Sequence, residues 1–247
     1  MNNTDNTEKV QEMVWEFQRL QHPPALVKGS YQMEIILKNV CKNIRKIPIL
    51  CNISLELHSG IIYGLRGVNG SGKTMLMRLL AGLIRQTSGT ISIDGKMLGK
   101  DISFPEDIGI LIENPAFLDN YTGVENLRLL ANIRGKVGEE RLTEIIKQVG
   151  LKPDDKRKYK QYSLGMKQRL GIAGAVLEHP SLLLIDEPTN ALDSDGVEMV
   201  KQLVLEEKER GALIILACHD FSVLNYLSDE IFLVKEGSLS AYVQDEK

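Results

Sequence analysis

Cysteine is scarce in this sequence, with three residues among 247 and no CxxC pair. A disulfide framework needs paired spacings, whereas an odd number of scattered cysteines fits structural thiols in a reducing compartment. The four histidines show no ligand spacing with the cysteines, so we expect no metal site built from these two residue types. The cysteines are Cys41, Cys51 and Cys218.

An excess of charge of one sign is also lacking. Lysine and arginine number 30 against 33 aspartates and glutamates, which gives a formal net charge of -3. Domains that bind nucleic acid usually carry a basic face, so no nucleic acid partner is expected. The densest basic cluster, Lys156 to Lys160, stands beside Asp154 and Asp155 and is interpreted as a solvated loop.

Long apolar runs are missing as well. No stretch approaches the roughly 20 apolar residues of a membrane-spanning helix. The longest runs, Ser181 to Ile185 and Ala212 to Cys218, have the length of strands. The first residues are polar and lack the apolar segment of a signal peptide. We therefore expect a soluble, cytoplasmic protein, and 247 residues with 43% hydrophobic content suit one globular unit.

Residues 1–30 are predicted to form an N-terminal extension with an amphipathic helix. Thr7 is placed to cap a helix that runs to about Leu20, and His22-Pro23-Pro24 ends it. Packing on its own domain and docking to a partner or a second subunit are both open interpretations of the apolar stripe on this helix. The stripe consists of Val10, Met13, Val14, Phe17 and Leu20.

From residue 31 onwards, predicted strands alternate with predicted helices. Period-two alternation and short apolar runs indicate the strands, and residues from about 120 to 178 are expected to be mostly helical. Such alternation is typical of an α/β fold with a parallel sheet covered on both faces. The predicted strands are Met33–Leu37, Ile53–Leu57, Ile61–Leu65, Thr90–Ile93, Leu182–Ile185, Leu213–Ala217 and Glu230–Val234, and further helices are expected at about 73–83, 194–210 and 221–227.

A glycine-rich segment between a predicted strand and a predicted helix matches GxxxxGK[ST], the Walker A motif. Glycines let successive backbone N–H groups curve around a phosphate, and the helix N-terminus adds partial positive charge. Lys73 is expected to reach the β- and γ-phosphates, and the Thr74 hydroxyl can bind Mg²⁺. The segment predicts nucleotide binding by Gly67, Asn69, Gly70, Ser71, Gly72, Lys73 and Thr74.

Two carboxylates follow the apolar strand Leu182–Ile185. Ligands of open α/β sheets bind at the carboxyl ends of the strands, so this position points to a site. Asp186 suits Mg²⁺, and Glu187 can polarise an attacking water as a general base. Together with the Walker A segment, these residues indicate a P-loop nucleotidase, a class that is still broad.

A third segment indicates which family of P-loop nucleotidases the sequence resembles. Tyr162 to Arg169, with the sequence YSLGMKQR, resembles the LSGGQ signature of ATP-binding-cassette (ABC) ATPases, matching at Ser163, Gly165, Gln168 and Arg169 and departing at Leu164 and Met166. The segment precedes Asp186 by the interval usual in that family. His219 follows the next apolar strand and corresponds to the family's switch histidine, and Ala191-Leu192-Asp193 fits its D-loop.

The resemblance to ABC ATPases covers about residues 32–240 and implies fold, domains and partners. It implies a RecA-like P-loop NTPase core with a parallel sheet, an antiparallel β subdomain and an inserted helical subdomain at about 114–178, all within an ATPase domain at 31–247. Two such domains, identical or related, pack head to tail with ATP between them. Ser163 and Gly165 then contact the γ-phosphate bound to the opposite subunit, and His219 contacts the γ-phosphate in its own. The resemblance also implies an integral membrane permease that holds the chain at the inner face of the cell membrane.

Two positions depart from the family pattern. Glu113 stands where the family usually has a glutamine that senses Mg²⁺ and the membrane partner. A glutamate there resembles the subgroup that exports bacteriocins or peptide antibiotics, and a carboxylate still coordinates Mg²⁺; a substitution unrelated to cargo is the open alternative. Ile44 stands where an aromatic usually stacks on adenine, and Tyr31 or another aromatic is a candidate substitute.

The sequence thus favours an ATP-hydrolysing subunit of an ABC exporter, acting on a peptide antibiotic, drug or similar amphipathic cargo through a separate membrane subunit. An ABC ATPase of translation or DNA repair is one alternative. Such proteins usually carry two cassettes or long coiled coils, and neither is found in these 247 residues. An importer subunit is the other alternative, some of which add a regulatory domain after the cassette.

Overall fold

The computed structural model of the protein describes residues 33–242. The predicted N-terminal extension, with its helix and Tyr31, lies outside the described residues. The strands are β1 (Glu34–Ile44), β2 (Ile47–His58), β3 (Ile62–Arg66), β4 (Ser88–Ile93), β5 (Lys96–Met97), β6 (Ile108–Leu111), β7 (Leu182–Asp186), β8 (Leu213–Ala217), β9 (Glu230–Lys235) and β10 (Ser238–Ala241). The helices are α1 (Lys73–Leu80), α2 (Gly123–Arg134), α3 (Glu139–Gln148), α4 (Leu164–Val176), α5 (Ser194–Glu209) and α6 (Phe221–Leu227), with a 3₁₀ turn at Tyr159–Gln161.

Six strands form the larger sheet, in the order β10-β9-β3-β8-β7-β6. Its strands run parallel except for β10, which pairs antiparallel with β9. The strands β7 and β8 are buried along their whole length, which explains their unbroken apolar sequences. The prediction of an α/β fold with a parallel sheet is confirmed, and β6, β10 and the two-residue β5 are strands that the sequence pattern did not predict.

The two faces of this sheet border different hydrophobic cores. Because side chains alternate along a strand, Leu183 and Ile185 of β7 face a core that contains α2, α3, α4 and α5 residues. Leu182 and Leu184 face a core shared with α1 and the smaller sheet. The smaller sheet is antiparallel, in the order β2-β1-β4-β5. The catalytic motifs lie where loops leave the carboxyl ends of β3, β7 and β8.

The strands β1 and β2 form a hairpin much longer than the five-residue strands predicted there. Arg45 and Lys46 form its turn with φ of 48° and 70°, the left-handed values that a tight hairpin turn requires. Ile44 and Ile47 pair across this turn, and both are exposed. The sequence signal was weak here because neither turn residue is Gly, Asn or Asp.

The region between β6 and β7 is helical, as the sequence pattern over about 120–178 predicted. Its first helix, α2, starts at Gly123, and the side chains of Thr122 and Glu125 form a capping box with backbone N–H groups. Ser163 caps α4 by accepting a hydrogen bond from the N–H of Met166. The cap therefore fixes the start of the helix that carries the signature segment.

Candidate active site

The Walker A segment forms the loop between β3 and α1. Gly70 and Gly72 have φ of 79° and 115°, values that favour glycine because a β-carbon would clash with the backbone. A β-carbon on Gly67 would lie 2.4 Å from the carbonyl oxygen of Val234. Gly72 caps α1 without a side-chain hydrogen bond, so N–H groups of the first helical turn remain directed at the loop's interior.

Lys73 and Ser71 provide the polar side chains of this loop. The Lys73 ammonium donates to the carbonyl oxygens of Gly67 at 2.7 Å and Val68 at 3.2 Å. The Ser71 hydroxyl is buried and has no hydrogen-bond partner within residues 33–242. No atom lies within 4 Å of a β-carbon built on Gly70. An anion between these groups would receive N–H and ammonium donors, so the loop fits a nucleotide phosphate.

Two oxygens suited to a divalent cation lie side by side at the loop. The Thr74 hydroxyl donates to the Asp186 carboxylate at 2.5 Å, and Asp186 is buried at the end of β7. Hydroxyl and carboxylate oxygens are hard ligands of the kind that Mg²⁺ takes. These two predicted magnesium ligands are therefore brought together, although they stand 112 positions apart in the chain.

Glu187 follows Asp186 in a left-handed backbone conformation, with φ of 52°. Its carboxylate accepts a hydrogen bond of 3.0 Å from the backbone N–H of His219, and its other oxygen lies 3.4 Å from Nε2 of His219. Burial raises the pKa of the Glu187 carboxyl, against the lowering effect of the His219 N–H. A raised pKa makes a carboxylate a stronger proton acceptor, as a general base requires.

The signature segment forms hydrogen bonds with the loop that contains Glu187. The Gln168 amide donates to the carbonyl oxygens of Glu187 at 3.0 Å and Pro188 at 3.1 Å. Arg169 donates to the carbonyl oxygen of Val149 and to the Asp193 carboxylate, each at 2.9 Å. The sequence matched Gln168 and Arg169 to the family without giving them a role, and no local pattern signals these contacts because the partners come from other segments.

Ser163 and Gly165 lie at the exposed start of α4. Within residues 33–242, no hydrogen bond joins them to the Walker A loop of the same chain. The Leu164 side chain between them is exposed, and a β-carbon on Gly165 would lie 2.8 Å from the carbonyl oxygen of Ala191. The segment therefore presents its polar groups outward, where a second molecule has access to them.

Glu113 pairs with a cation on α1. Its carboxylate accepts a hydrogen bond of 2.5 Å from the Arg78 guanidinium, and its φ of 63° is left-handed. No hydrogen bond in the described chain links it to Thr74 or Asp186. Its partner Arg78 stands one helical turn after Thr74 on α1, and this ion pair is one that the sequence did not predict.

Ile44, the candidate for apolar contact with adenine, lies at the tip of the β1–β2 hairpin. It is 42% exposed. The hairpin reaches the Walker A loop further along, because a β-carbon on Gly72 would lie 2.8 Å from a methyl group of Leu50. The alternative candidate, Tyr31, lies outside the described residues.

Comparison with known proteins identifies the family of the chain that carries this site. The family model described as ABC transporter matches residues 50–190. This chain belongs to the ABC transporter family. It is 46% identical to YybJ, an ABC transporter ATP-binding protein of Bacillus subtilis, over 81% of this chain and 92% of that protein. It is 36% identical to the lantibiotic transport ATP-binding protein SrtF of Streptococcus pyogenes, over 82% of this chain and 87% of SrtF.

The fold of this ABC transporter subunit is shared with solved cassette structures. The dimeric, post-hydrolysis structure of the cassette MJ0796 bound to ADP and Pi superposes with a TM-score of 0.75 at 27% identity, covering 86% of this chain and 99% of that one. The subunit binds and hydrolyses ATP, as the family and this neighbour show, and the predicted ABC ATPase fold is confirmed. No helix within residues 33–242 is long and apolar enough to cross a membrane.

Proposed function

We propose that this subunit holds MgATP on its Walker A loop and hydrolyses it with Glu187 as the general base. The observation that carries the proposal is the position of Glu187, whose partly buried carboxylate is held by the His219 N–H beside the Thr74–Asp186 pair. The proposed phosphate ligands are Gly67, Asn69, Gly70, Ser71, Gly72, Lys73 and Thr74. Thr74 and Asp186 hold Mg²⁺, with Glu113 as a further ligand once it leaves Arg78.

The chemical step is a displacement at the γ-phosphorus of ATP. Glu187 accepts a proton from a water molecule while the oxygen of that water bonds to phosphorus. The bond between phosphorus and the β,γ-bridging oxygen breaks, and ADP is released. Lys73 and the loop N–H groups stabilise the negative charge on the phosphate oxygens. His219, whose Nε2 lies 3.4 Å from the Glu187 carboxylate, contacts the γ-phosphate. Mg²⁺, when bound, neutralises part of the phosphate charge.

The complete site needs a second ABC subunit. Ser163 and Gly165 face outward, and the neighbour MJ0796 is a dimer in its nucleotide-bound structure. We infer that the signature segment of one copy closes over the ATP held by the Walker A loop of the other. Closure and reopening then act on an integral membrane permease through the surface near Glu113, and this contact holds the subunit at the inner face of the membrane.

A peptide antibiotic is the proposed cargo, moved outward. SrtF, at 36% identity over most of both chains, is a lantibiotic transport protein. Glu113 at the usual glutamine position supports the same subgroup. A membrane protein or a peptide precursor encoded beside this gene would support export or self-immunity respectively.

The catalytic roles are tested with two single variants. Lys73→Ala removes the ammonium and is expected to abolish nucleotide binding. Glu187→Gln keeps the size and the hydrogen bond acceptor but not the base, so it should bind ATP with near-normal affinity while kcat falls roughly 100-fold or more. Fluorescent nucleotide titration and phosphate release measure both quantities. Normal turnover by Glu187→Gln would contradict the base role.

The cargo is tested in a sensitive host cell. The chain and the membrane protein encoded beside it are expressed together, and growth is measured against lantibiotics and against unrelated drugs. Higher tolerance of peptide antibiotics that Lys73→Ala abolishes supports the proposal. Tolerance that is unchanged for peptides but raised for a small drug would assign a different cargo to the same ATPase.

A further inference from the structure

The Arg66 side chain lies against two aromatic rings at the base of the Walker A loop. Its guanidinium carbon is 4.0 Å from the ring centroid of Phe221 and 4.7 Å from that of Tyr242. The two rings also contact each other edge to face, with centroids 5.7 Å apart. Arg66 is the last residue of β3 and directly precedes Gly67 in the chain. A contact that restrains the Arg66 side chain therefore also restrains the start of the Walker A loop.

Contacts with the two aromatic rings hold the Arg66 guanidinium in place. Arg66 forms no salt bridge with any carboxylate in residues 33–242. A guanidinium stacked on aromatic faces is attracted by the negative charge of the π-systems, and its planar shape suits the geometry. The contact therefore depends on both the planarity of Arg66 and the aromatic character of Phe221 and Tyr242.

The stack joins three separate segments of the chain. Phe221 is the first residue of α6 and stands two positions after His219. Tyr242 follows β10 and is fixed by a backbone hydrogen bond of 2.7 Å to Ile231. The third segment is the end of β3 with the Walker A loop. The stack thus spans the phosphate loop, the loop that carries His219 and the end of the sheet.

Three further side chains hold α6 against the core, next to the partly buried Phe221. Val223, Leu224 and Leu227 bury the helix against the core, with exposures of 3%, 0% and 2%. The stack acts instead at the residue of α6 nearest to His219, whose N–H contacts the Glu187 carboxylate. A restraint at this point bears on the geometry of His219 more than on the stability of the helix.

We infer that Arg66, Phe221 and Tyr242 are positioning residues that fix the loop of His219 relative to the Walker A loop. The inference rests on the proposed roles of Glu187 and His219. The contact of Arg66 with the two rings lies outside the nucleotide site. It fixes the positions of Glu187 and His219 relative to the γ-phosphate. Loss of the stack is expected to lower turnover while the phosphate ligands, and with them nucleotide affinity, stay in place.

The test uses the purified full chain with Phe221→Leu, which keeps an apolar side chain but loses the ring. We expect kcat to fall roughly 10- to 100-fold, the size seen when reacting groups shift by about 1 Å, while ATP affinity changes less than about threefold. Phe221→Tyr restores the ring and should restore kcat. Arg66→Lys keeps the charge without the planar fork and should resemble Phe221→Leu, which gives a second variant if the first folds poorly.

A matched control exists on the same helix. Tyr226 of α6 also stacks with a cation, Lys201, at 4.8 Å, but lies far along the helix from His219. Tyr226→Leu removes a similar contact and should leave kcat unchanged. An equal loss of kcat in Tyr226→Leu and Phe221→Leu would overturn the inference, because it would show a general effect on α6.

A spectroscopic readout separates this inference from the proposed function. The imidazole signals of His219, assigned with His219→Gln, report the position of the loop in nucleotide-free protein at fixed pH. We expect Phe221→Leu and Arg66→Lys to shift these signals and Tyr226→Leu to leave them. Unshifted signals in folded Phe221→Leu overturn the positioning role, whereas shifted signals with normal kcat, together with an active His219→Gln, overturn only the catalytic role of His219.

Discussion

At the scale of single residues, the surroundings of Glu187 suit its carboxylate to the general-base role proposed for it. Burial raises its pKa, and the His219 N–H limits the rise while holding the carboxylate in place. The base must be deprotonated to accept a proton from water. Activity is therefore present above the raised pKa and lost as the pH falls through it, a window that lies above the usual range of a glutamate.

The acid limb of the pH profile tests this prediction. We expect kcat for ATP hydrolysis to decline with falling pH while the protein remains folded and binds a non-hydrolysable ATP analogue. Thermal unfolding and analogue binding, measured at each pH, serve as controls. A rate that stays constant down to the normal pKa of a free glutamate would show that Glu187 is not the titrating base.

Glu113 presents the other residue-scale prediction. Its partner Arg78 and the glutamate itself are 35% and 58% exposed, so the ion pair contributes less than about 1 kcal/mol to stability. Glu113→Gln should retain nucleotide binding and ATPase activity, with a higher Mg²⁺ requirement if the carboxylate contacts the metal. Titration of activity with Mg²⁺ measures this, and Arg78→Met is the matched variant for loss of the pair alone. Loss of all nucleotide binding in Glu113→Gln would contradict a metal or coupling role.

At the scale of elements, Asp107 ties the starts of β6 and β7 to the helical region. It accepts hydrogen bonds from the N–H and hydroxyl of Ser181 and pairs with Arg134 and Lys136 at 3.0 Å and 3.1 Å. Burial alone would raise the pKa of Asp107, but the hydrogen bonds from Ser181 and Lys136 outweigh it and lower the pKa from 3.8 to about 2. Because the folded pKa is depressed, this stabilisation is present above the unfolded pKa and lost as pH falls towards about 2.

Removing this charge should therefore destabilise the fold in a pH-dependent way. We expect Asp107→Asn to lower the free energy of unfolding by about 1–2 kcal/mol at pH 7, after allowance for partial exposure. The difference from the wild type should shrink as the pH falls through the window below 4. Urea unfolding at several pH values measures it, with exposed Asp154→Asn as the control. A pH-independent difference would assign the effect to packing instead of charge.

Close packing between α4 and β6 gives a second prediction for the elements. A β-carbon on Gly109 of β6 would lie 2.0 Å from the carbonyl oxygen of Ala175 and 2.7 Å from Pro180. Gly109→Ala should then cost more than about 2 kcal/mol, since neither the backbone nor the ring yields easily. Gly138→Ala, with no atom within 4 Å, should cost less than about 1 kcal/mol. Equal unfolding midpoints for the two variants would contradict the tight contact.

At the scale of the whole molecule, the proposed sharing of the nucleotide site between two copies predicts complementation between two inactive variants. Lys73→Ala disables the Walker A loop. Ser163→Asp keeps the helix cap but places a negative charge against the triphosphate. In a mixed dimer, one site combines the intact Walker A loop of one copy with the intact signature of the other. An equal mixture should recover about a quarter of wild-type ATPase activity, because half of the dimers are mixed and each has one working site.

The controls for complementation are the two variants alone, which should both be inactive. Recovery should depend on protein concentration, since it requires exchange of subunits. If the wild type is active and the mixture is not, each chain completes its own site and the head-to-tail assembly is wrong for this protein.

The sequence by itself determined the chemistry of this protein and most of its elements. The Walker A glycines, the Asp186-Glu187 pair and the signature segment are local patterns, and they predicted the ABC transporter family that the comparison shows. The helix at 221–227 and the strand at Leu213–Ala217 were predicted with the bounds that the structure has, because near-neighbour periodicity specifies them. The weaker patterns of the β1–β2 hairpin and of β10 gave short or missing strands, since pairing with neighbours extends them.

Only the tertiary structure decided which distant side chains meet. The order β9-β3-β8-β7-β6 brings Thr74 to Asp186, and the packing of α4 brings Gln168 to the backbone of Glu187. It also placed Glu113 beside Arg78, and Arg66 against two aromatic rings. Contacts of this kind join residues from separate elements, so their cause is the arrangement of the sheet and its helices, which no local pattern encodes.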